Sequence, residues 1–375
     1  MNKIFLSPPD IFQNELKYVE DAFASGYIAP LGPATEAFEK ALAKYTGIPY
    51  CLVTNSGTSA LHLALKHLNI GHKDIVLASD LTFIASLSNA YHMGAEIRFI
   101  DCNENSWNMD PNLLQKAIDD CKKEGKLPKA VIVTDLYGQC ADYDTIKAIC
   151  VPLGIPLIID SAEALGATYK DKHAGFCGDA CALSFNGNKI ITTSGGGALL
   201  SHNKNLIEHA RKLSTQAREL FPYYEHKEVG FNYRMSNICA AIGLGQLEII
   251  DKKLIQKQKI FENYKKLLAP LEDRISFIPV SSYGKPNHWL TVIQINPNKT
   301  SVTWEYLWNA LAEYNIESRP VWKPMHLQPV FKNNRYYGGE ICEKLFANGL
   351  CLPSGTALTF EQQQYICNVI LKEIL

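Results

Sequence analysis

The sequence predicts an α/β protein in which a large domain, built on a mixed and mostly parallel sheet, precedes a smaller α+β C-terminal domain. Between residues 50 and 201, seven short apolar runs alternate with helical patterns. Continuous apolar strands separated by helices are typical of a sheet that is covered on both faces. From about Ser236 the pattern changes to extended helical periodicity. A chain of 375 residues is also longer than one hydrophobic core usually serves.

The predicted strands of the large domain are short runs rich in β-branched and other apolar residues. They are YCLVT (50–54), DIVLA (74–78), EIRFI (96–100), AVIVTD (130–135), PLIID (156–160), CALSF (181–185) and GALLS (197–201). After the first run, GTSALHLALKHL places Leu61, Leu65 and Leu68 at helical spacing, with Ser56 and Thr58 as potential caps. This stretch predicts a strand, a turn of small residues and a helix.

The second half predicts one long helix, because the apolar residues from Leu247 to Leu268 keep nearly one face and Pro270 follows them. Beyond it lie the short apolar runs ISFIPV (275–280) and WLTVIQI (289–295), and helical patterns at 304–315 and 359–375. We therefore expect a large domain with the N-terminal segment over residues 1–247. The smaller domain, with the connecting long helix, is expected over residues 248–375.

The composition argues against several classes of partner. A formal net charge of -1 gives no general reason to expect nucleic acid or an acidic membrane. No segment is apolar for long enough to span a bilayer, and the start MNKIFLSPPD has no long apolar core. The eleven cysteines are scattered, and the nearest pair, Cys177 and Cys181, lacks the further ligands of a zinc site. These features predict a cytoplasmic protein that binds no metal, nucleic acid or membrane.

The stretch SFNGNKIITTSGGG (184–197) places Lys189 before three glycines. It is not a nucleotide-binding phosphate loop, because that motif needs its glycines before the lysine and a hydroxyl directly after it. A solvated lysine beside a flexible turn is one alternative. The glycines predict a close approach of another backbone, from a second subunit or from the substrate.

Two other stretches favour a cofactor site. Asp160 ends an apolar strand, and ligands of α/β sheets usually bind at the carboxyl ends of strands. A carboxylate that only caps a following helix is an equal alternative. The turn TNSGTSAL (54–61) offers free amides at a helix start, where phosphate binds. Pyridoxal phosphate needs a lysine, an acidic partner, a phosphate cup and a flat neighbour, which Lys189, Asp160, this turn and Phe83 supply.

Several ordered motifs together resemble the DegT/DnrJ/StrS family of pyridoxal-phosphate-dependent sugar aminotransferases, which adopt the aspartate-aminotransferase fold, fold type I. The motifs that carry the resemblance are SGYIAPLGPATEAFE (25–39), TNSGTSALHLAL (54–65), DLTFIAS (80–86), DLYGQCAD (135–142), IIDSAEALGA (158–167), SFNGNKIITTSGGG (184–197) and GFNYRMSN (230–237). The chain departs from the common family version at TTSGGG, where many relatives have a Gly-Glu-Gly-Gly run.

The resemblance implies the following cofactor site. Lys189 bonds to pyridoxal phosphate and, once the substrate amine releases it, moves the proton between the cofactor carbon and the sugar carbon, with pyridoxamine phosphate as the intermediate. Asp160 keeps the pyridine nitrogen protonated. Glu163 lies near the ring hydroxyl. The phosphate is held by Ser56, Gly57, Thr58 and Ser184. Asn232 reaches the phosphate of the neighbouring subunit, so the resemblance implies a homodimer with shared active sites.

The resemblance also implies transamination from glutamate, because relatives with histidine in place of this lysine remove a hydroxyl instead. Arg234 and Arg319 are candidates for binding the carboxylates of glutamate. The stretches at 287–290, 317–331 and 352–359 are similar to enzymes that aminate carbon 4 of UDP-linked 4-keto-6-deoxy N-acetylated sugars for bacterial glycans such as O-antigen. The substrate contacts implied are Tyr27, Asn188, Trp289, Arg319, Trp322, Lys323 and His326.

Four alternatives stay open at this point. RPVWKP could be a proline-stiffened loop whose tryptophan packs on the core. The chain could be a pyridoxal-phosphate-binding regulator without turnover. It could also be another pyridoxal enzyme, such as a cysteine desulfurase or a lyase, or an aminotransferase for a different keto sugar or keto position.

Overall fold

The computed structural model describes residues 2–375, and within this range the chain forms twelve α-helices and fifteen β-strands. The helices are α1 (Asn14–Ala24), α2 (Pro33–Thr46), α3 (Gly57–His67), α4 (Ala85–His92), α5 (Pro111–Lys123), α6 (Tyr143–Cys150), α7 (Lys204–Leu213), α8 (Asn237–Glu248), α9 (Ile250–Leu267), α10 (Trp304–Glu313), α11 (Ile341–Asn348) and α12 (Phe360–Ile374). The strands are β1 (Tyr50–Thr54), β2 (Ile75–Ser79), β3 (Glu96–Ile100), β4 (Ala130–Thr134), β5 (Leu157–Asp160), β6 (Thr168–Tyr169), β7 (Lys172–His173), β8 (Ala180–Ser184), β9 (Gly197–Ser201), β10 (Ile275–Phe277), β11 (Gly284–Lys285), β12 (Thr291–Ile295), β13 (Arg319–Pro320), β14 (Tyr336–Tyr337) and β15 (Gly349–Leu352).

The large sheet has eight strands in the order β1-β9-β8-β5-β4-β2-β3-β14. Strand β9 runs antiparallel to both of its neighbours, β1 and β8, and the other neighbouring pairs are parallel. The predicted α/β class with a mixed, mostly parallel sheet is confirmed. Each of the seven apolar runs forms one of its strands.

Both faces of this sheet are buried, which explains why its strands are apolar at nearly every position. In β4, Ala130 and Ile132 belong to the core on the side of α3, α4 and α7. Val131 and Val133 belong to the opposite core, which α5 and α6 cover. The sheet therefore holds the carboxyl ends of its parallel strands in fixed positions.

The C-terminal region forms an antiparallel sheet in the order β10-β12-β15-β13. Its core includes Tyr264 of α9, Leu307 of α10 and Ile366 of α12. The same region also supplies β14, which pairs with β3 of the large sheet. The boundary between residues 247 and 248 stays a prediction.

The predicted long helix is present as α9, but it begins at Ile250 and not at Leu247, because a separate helix, α8, ends at Glu248 and the backbone leaves helical geometry at Ile249, whose φ and ψ are -111° and 9°. The two helices have different packing partners. Helix α8 lies against α1 and α2, whereas α9 lies against α12. The chain changes direction at Ile249 to reach both. None of the helices in residues 2–375 is both long and apolar enough to cross a membrane.

Candidate active site

A cavity of about 920 Å³ opens at the carboxyl ends of β4, β5 and β8, where Thr134, Asp160 and Ser184 line it. The structure brings together twelve of the predicted site residues around this space. They are Ser56, Gly57, Thr58, Phe83, Asp160, Glu163, Ser184, Asn188, Lys189, Trp289, Arg319 and Trp322. Residues more than 260 positions apart therefore share one site.

Lys189 places a nearly buried amine in the cavity, with 13% of its side chain exposed. Its Nζ lies 3.8 Å from Glu163 Oε1 and 4.0 Å from the centre of the Trp289 ring. Burial lowers the pKa of Lys189, while the charges of Glu163 and Asp160 raise it. A desolvated lysine of this kind is suited to covalent and general-base chemistry.

Asp160 is the last residue of β5 and is buried. Its Oδ2 accepts a 2.5 Å hydrogen bond from Ser86 Oγ, and its Oδ1 accepts one from the Ala162 amide at 3.1 Å. Burial raises the pKa of Asp160, and these bonds and the Lys189 charge lower it. Turns follow Asp160 directly, so the helix-capping alternative does not describe it.

Glu163 lies in those turns with a fixed carboxylate. Its Oε2 accepts a 2.6 Å hydrogen bond from the amide of Tyr137, a residue in the left-handed region with φ of 51°. Burial raises the pKa of Glu163 to about 7, while the Lys189 charge lowers it. The backbone of Tyr137 thus orients the carboxylate that lies nearest to the lysine amine.

The start of α3 offers an anion site at the cavity wall. Ser56 Oγ accepts from the Ser59 amide at 3.0 Å and caps the helix. Gly57 and Thr58 line the cavity, and the amides of the first helical residues have no acceptor within the helix. A Cβ on Gly57 would lie only 3.2 Å from Ser184 Cβ, so the helix start abuts Ser184.

These residues fit pyridoxal phosphate. The α3 start and Ser184 supply donors for the phosphate. Asp160 is a buried carboxylate whose oxygens can each accept a further hydrogen bond. The side-chain amine of Lys189 forms no hydrogen bond with another described residue, so it is available. Phe83 is 57% exposed and lies 5.7 Å from the Trp322 ring, which leaves an aromatic face open to a planar group.

The glycine run after Lys189 serves a different contact from the predicted one. A Cβ on Gly197 would lie 2.3 Å from the amide nitrogen of Gly57, whereas a Cβ on Gly195 would meet nothing within 4 Å. The close approach at Gly197 is therefore made by the chain's own α3, so the expectation of a second subunit or the substrate is wrong at this residue. Glycine here lets β9 support the helix start.

Four predicted residues lie outside the cavity lining. His326 is held by two carboxylates, with Nδ1 2.6 Å from Asp80 Oδ2 and Nε2 3.2 Å from Glu343 Oε1. This arrangement does not support the predicted substrate contact of His326. Lys323 is exposed beside it. The other two residues, Tyr27 and Asn232, are exposed as well, and their contacts stay predictions.

The two candidate arginines have different environments. Arg319 lines the cavity, and its Nη2 lies 3.1 Å from Glu317 Oε1. Arg234 does not line it, and the Arg234 Nε is buried without a hydrogen bond to any described residue. Arg319 is therefore better placed than Arg234 to bind a carboxylate of glutamate.

The N-terminal segment Phe5–Pro9 is the part of the site that sequence reasoning missed. Ser7 Oγ donates to the Asn188 carbonyl at 3.0 Å, and Leu6 N donates to Glu317 Oε2 at 3.1 Å. Its two prolines are a signal for extended backbone, but they do not indicate where the segment docks.

Among the described residues, the only cluster of side chains with the spacing of metal ligands is formed by Asp101, Cys102 and Cys342. Asp101 Oδ1 accepts from the amides of Cys102 and Cys342, and Oδ2 accepts from those of Gly339 and Ile341, all within 3.2 Å. These four amides, three of which precede or begin α11, account for the buried carboxylate without an ion.

Comparisons with known proteins agree with this fold and site. The DegT/DnrJ/EryC1/StrS aminotransferase family matches residues 9–371, and the chain belongs to this family. It is a pyridoxal-phosphate-dependent sugar aminotransferase of fold type I, as the resemblance implied.

Three relatives illustrate the range of the family. EpsN of Bacillus subtilis is 43% identical over 98% of this chain and 95% of its own length. The GDP-perosamine synthase of Caulobacter vibrioides is 35% identical over 95% and 94%. The UDP-4-amino-4,6-dideoxy-N-acetyl-beta-L-altrosamine transaminase of Campylobacter jejuni is 35% identical over 71% and 70%. Among solved structures, the PLP form of Spr1654 from Streptococcus pneumoniae has a TM-score of 0.89 and 27% identity, with 99% of both chains covered.

Proposed function

We propose that this enzyme transfers an amino group from glutamate to carbon 4 of a UDP-linked 4-keto-6-deoxy-N-acetylated hexose. The observation that carries the transaminase chemistry is the position of the Lys189 amine, which shares one cavity with Asp160, Glu163 and the start of α3. The substrate assignment rests on the resemblance of the C-terminal stretches and on the Campylobacter jejuni relative.

Each residue has a separate task in this reaction. When bound, pyridoxal phosphate supplies the electron sink and carries the amino group as pyridoxamine phosphate. Lys189 holds the cofactor and then moves the proton to and from the substrate carbon. Asp160 keeps a positive charge on the ring nitrogen, and Glu163 accepts a hydrogen bond from the ring hydroxyl. The α3 amides and Ser184 bind the phosphate.

The outer wall of the cavity suits a sugar nucleotide. Trp289 and Trp322 give flat apolar surfaces, while Arg319 and Asn188 supply polar contacts. Aromatic faces bury the apolar faces of rings at low conformational cost. Arg319 also serves the carboxylate of glutamate in the first half of the cycle.

A GDP-linked 4-keto-6-deoxyhexose is the second candidate substrate. It is favoured by the GDP-perosamine synthase of Caulobacter vibrioides, which matches 95% of this chain, whereas the Campylobacter jejuni transaminase matches 71%. Both candidates require the same chemistry at Lys189. They differ in the base and in the substituent at carbon 2.

The proposed enzyme is a homodimer with shared active sites. Large apolar side chains are exposed in and near α1 and in the 220–229 loop. They are Ile11, Phe12, Leu16, Phe23, Leu31, Leu220, Tyr223, Tyr224 and Val229. Exposed apolar groups in this number favour burial against a partner. Asn232 belongs to the same region and is exposed, as a residue that reaches a second subunit must be.

We place the reaction in the cytoplasm, in the synthesis of amino sugars for bacterial surface glycans. All eleven cysteines are free thiols, and nine of them are buried. Unpaired cysteines in this number are typical of a reducing compartment.

Absorption spectroscopy tests the proposal. The holoenzyme is mixed with glutamate and then with the UDP-linked or the GDP-linked 4-keto-6-deoxy sugar. We expect glutamate to bleach the visible cofactor band and the UDP-linked sugar to restore it, with an amino sugar as the product. Restoration by the GDP-linked sugar alone would move the assignment to the second candidate.

The other open alternatives give different results in the same experiment. A regulator without turnover binds the cofactor, but glutamate does not bleach its band. A desulfurase or lyase releases product from a free amino acid without any keto sugar. Either result would remove the transaminase proposal. Bleaching by glutamate that neither sugar reverses would remove only the two candidate substrates.

A further inference from the structure

Two lysines of α9, Lys253 and Lys257, are buried beneath the active-site cavity, although the proposed reaction uses neither. Their exposed fractions are 3% and 2%. Lysine is almost never fully buried unless it has partners, and positions four apart share one helix face. This face of α9 therefore has a task that an apolar residue would not fulfil.

Lys257 connects α9 to the residue that covers the Lys189 amine. Its Nζ donates to the carbonyl oxygens of Trp289 at 2.9 Å and of Ser354 at 2.5 Å. The Trp289 ring lies 4.0 Å from Lys189 Nζ, and its Nε1 donates to the Asn188 carbonyl at 2.7 Å. Trp289 is thus fixed at its backbone by Lys257 and at its ring by the backbone next to Lys189.

Lys253 has different partners, although it is on the same face. Its Nζ donates to the Asp10 carbonyl at 2.8 Å and to Gln246 Oε1 at 2.9 Å. Both amines line a small void together with Lys189. The pair therefore offers two equally buried cations, of which only Lys257 holds Trp289.

We propose that Lys257 is a positioning residue for the reaction: it holds Trp289 over the Lys189 amine and thereby keeps water from that amine. This inference rests on the proposed function of Lys189. The charged and titratable groups facing Lys257 are Lys253 on α9, Asp10 in the N-terminal segment and His288 before β12.

The cost of burying the Lys257 amine favours a role for this residue in positioning Trp289 over a role in stability. Burial lowers the pKa of Lys257 to about 7, so the charged form is disfavoured in the folded chain. An apolar residue of similar volume would avoid that cost. It would also leave the Trp289 carbonyl without its donor, and a buried unpaired carbonyl is costly. The donor is therefore retained for the geometry that it gives to Trp289.

The test measures the Lys189 amine directly in the protein without cofactor. Trace acetic anhydride acetylates amines in their neutral form, and mass spectrometry of the Lys189 peptide across pH gives the pKa of this amine. With Lys257→Met we expect water to reach the amine and the pKa to rise, so that acetylation at pH 8 falls about tenfold. Lys257→Arg should restore the wild-type rate.

Lys253→Met is the matched control, because it removes an equally buried cation from the same helix face without releasing Trp289. We expect it to leave the acetylation of Lys189 within about twofold of wild type. Equal effects of Lys253→Met and Lys257→Met would overturn the proposal and leave a general effect of charge. A loss of stability in Lys257→Met with unchanged acetylation would also overturn it.

Trp289→Phe provides a second route if Lys257→Met does not fold. It keeps the carbonyl that Lys257 binds but removes the bond from Nε1 to Asn188. We expect the same fall in acetylation, and an unchanged rate would contradict the proposal. Because these measurements need neither sugar nor turnover, a failure of the proposed substrate would leave them unaffected.

Discussion

At the scale of single residues, the site depends on one amine that is buried beside carboxylates. We expect Lys189→Ala to keep the fold and to bind pyridoxamine phosphate, because the α3 amides and Asp160 remain. Turnover should fall to background, since no other side chain replaces this amine. Circular dichroism, cofactor binding and the transamination assay check these three outcomes. Substantial remaining transamination would remove Lys189 from its role.

Asp160→Asn tests the buried carboxylate with little change in shape. The amide oxygen still accepts from the Ala162 amide, and the NH2 group donates to Ser86 Oγ in place of the bond that Ser86 donated, so the melting temperature should change little. The charge that stabilises a protonated ring nitrogen is lost, and we expect kcat to fall by about 100-fold or more. A lower melting temperature with unchanged kcat would instead assign Asp160 a purely structural role.

Glu163 makes the stability of the cofactor-free protein depend on pH. Burial raises the pKa of Glu163 from 4.5 to about 7, so the folded chain binds this proton more tightly than the unfolded chain does. The resulting stability is fully present below pH 4.5 and is lost as the pH rises through 7. The value of about 7 already includes the opposing effect of the Lys189 charge, and the difference from 4.5 corresponds to a loss on the order of 3 kcal/mol. Urea unfolding should show this loss in the wild type and a smaller one in Glu163→Gln.

At the scale of elements, the phosphate site depends on the packing of α3 against β9. Gly197→Ala would place a Cβ 2.3 Å from the Gly57 amide nitrogen and push the helix start away. We expect a destabilisation of about 1–3 kcal/mol and weaker binding of pyridoxal phosphate. Urea unfolding and a cofactor titration measure the two effects. Gly195→Ala is the control for stability, because a Cβ there meets nothing within 4 Å.

The strands and the site differ from the remaining elements in how far they could be predicted. Strands such as β4 were predictable because burial on both faces requires apolar residues in sequence. Asp160 ends β5, and Lys189 and the α3 start come within five residues of the ends of β8 and β1, so their meeting at one sheet edge was predictable too. The break at Ile249 depends on the partners of α8 and α9, and the docking of Phe5–Pro9 depends on distant acceptors. Neither leaves a periodic signal.

At the scale of the whole molecule, shared active sites predict complementation between two inactive variants. When Lys189→Ala and Asn232→Ala chains are unfolded together and refolded as dimers, half the dimers are mixed, and each has one intact site. We therefore expect activity of up to about a quarter of the wild-type value. The separate variants should stay inactive after the same treatment. If mixing restores nothing although mixed dimers form, each site is made by one chain.

The contribution of β14 to the large sheet affects the order in which parts of this fold can form during synthesis. Strand β3 is complete once residue 100 has left the ribosome, but its neighbour β14 comes from residues 336–337. The Trp289 and Arg319 sides of the cavity are also synthesised late. Contacts so distant in sequence form slowly. During translation the sheet edge at β3 thus stays unpaired, and the nascent chain gains a complete active-site cavity only near the end of synthesis.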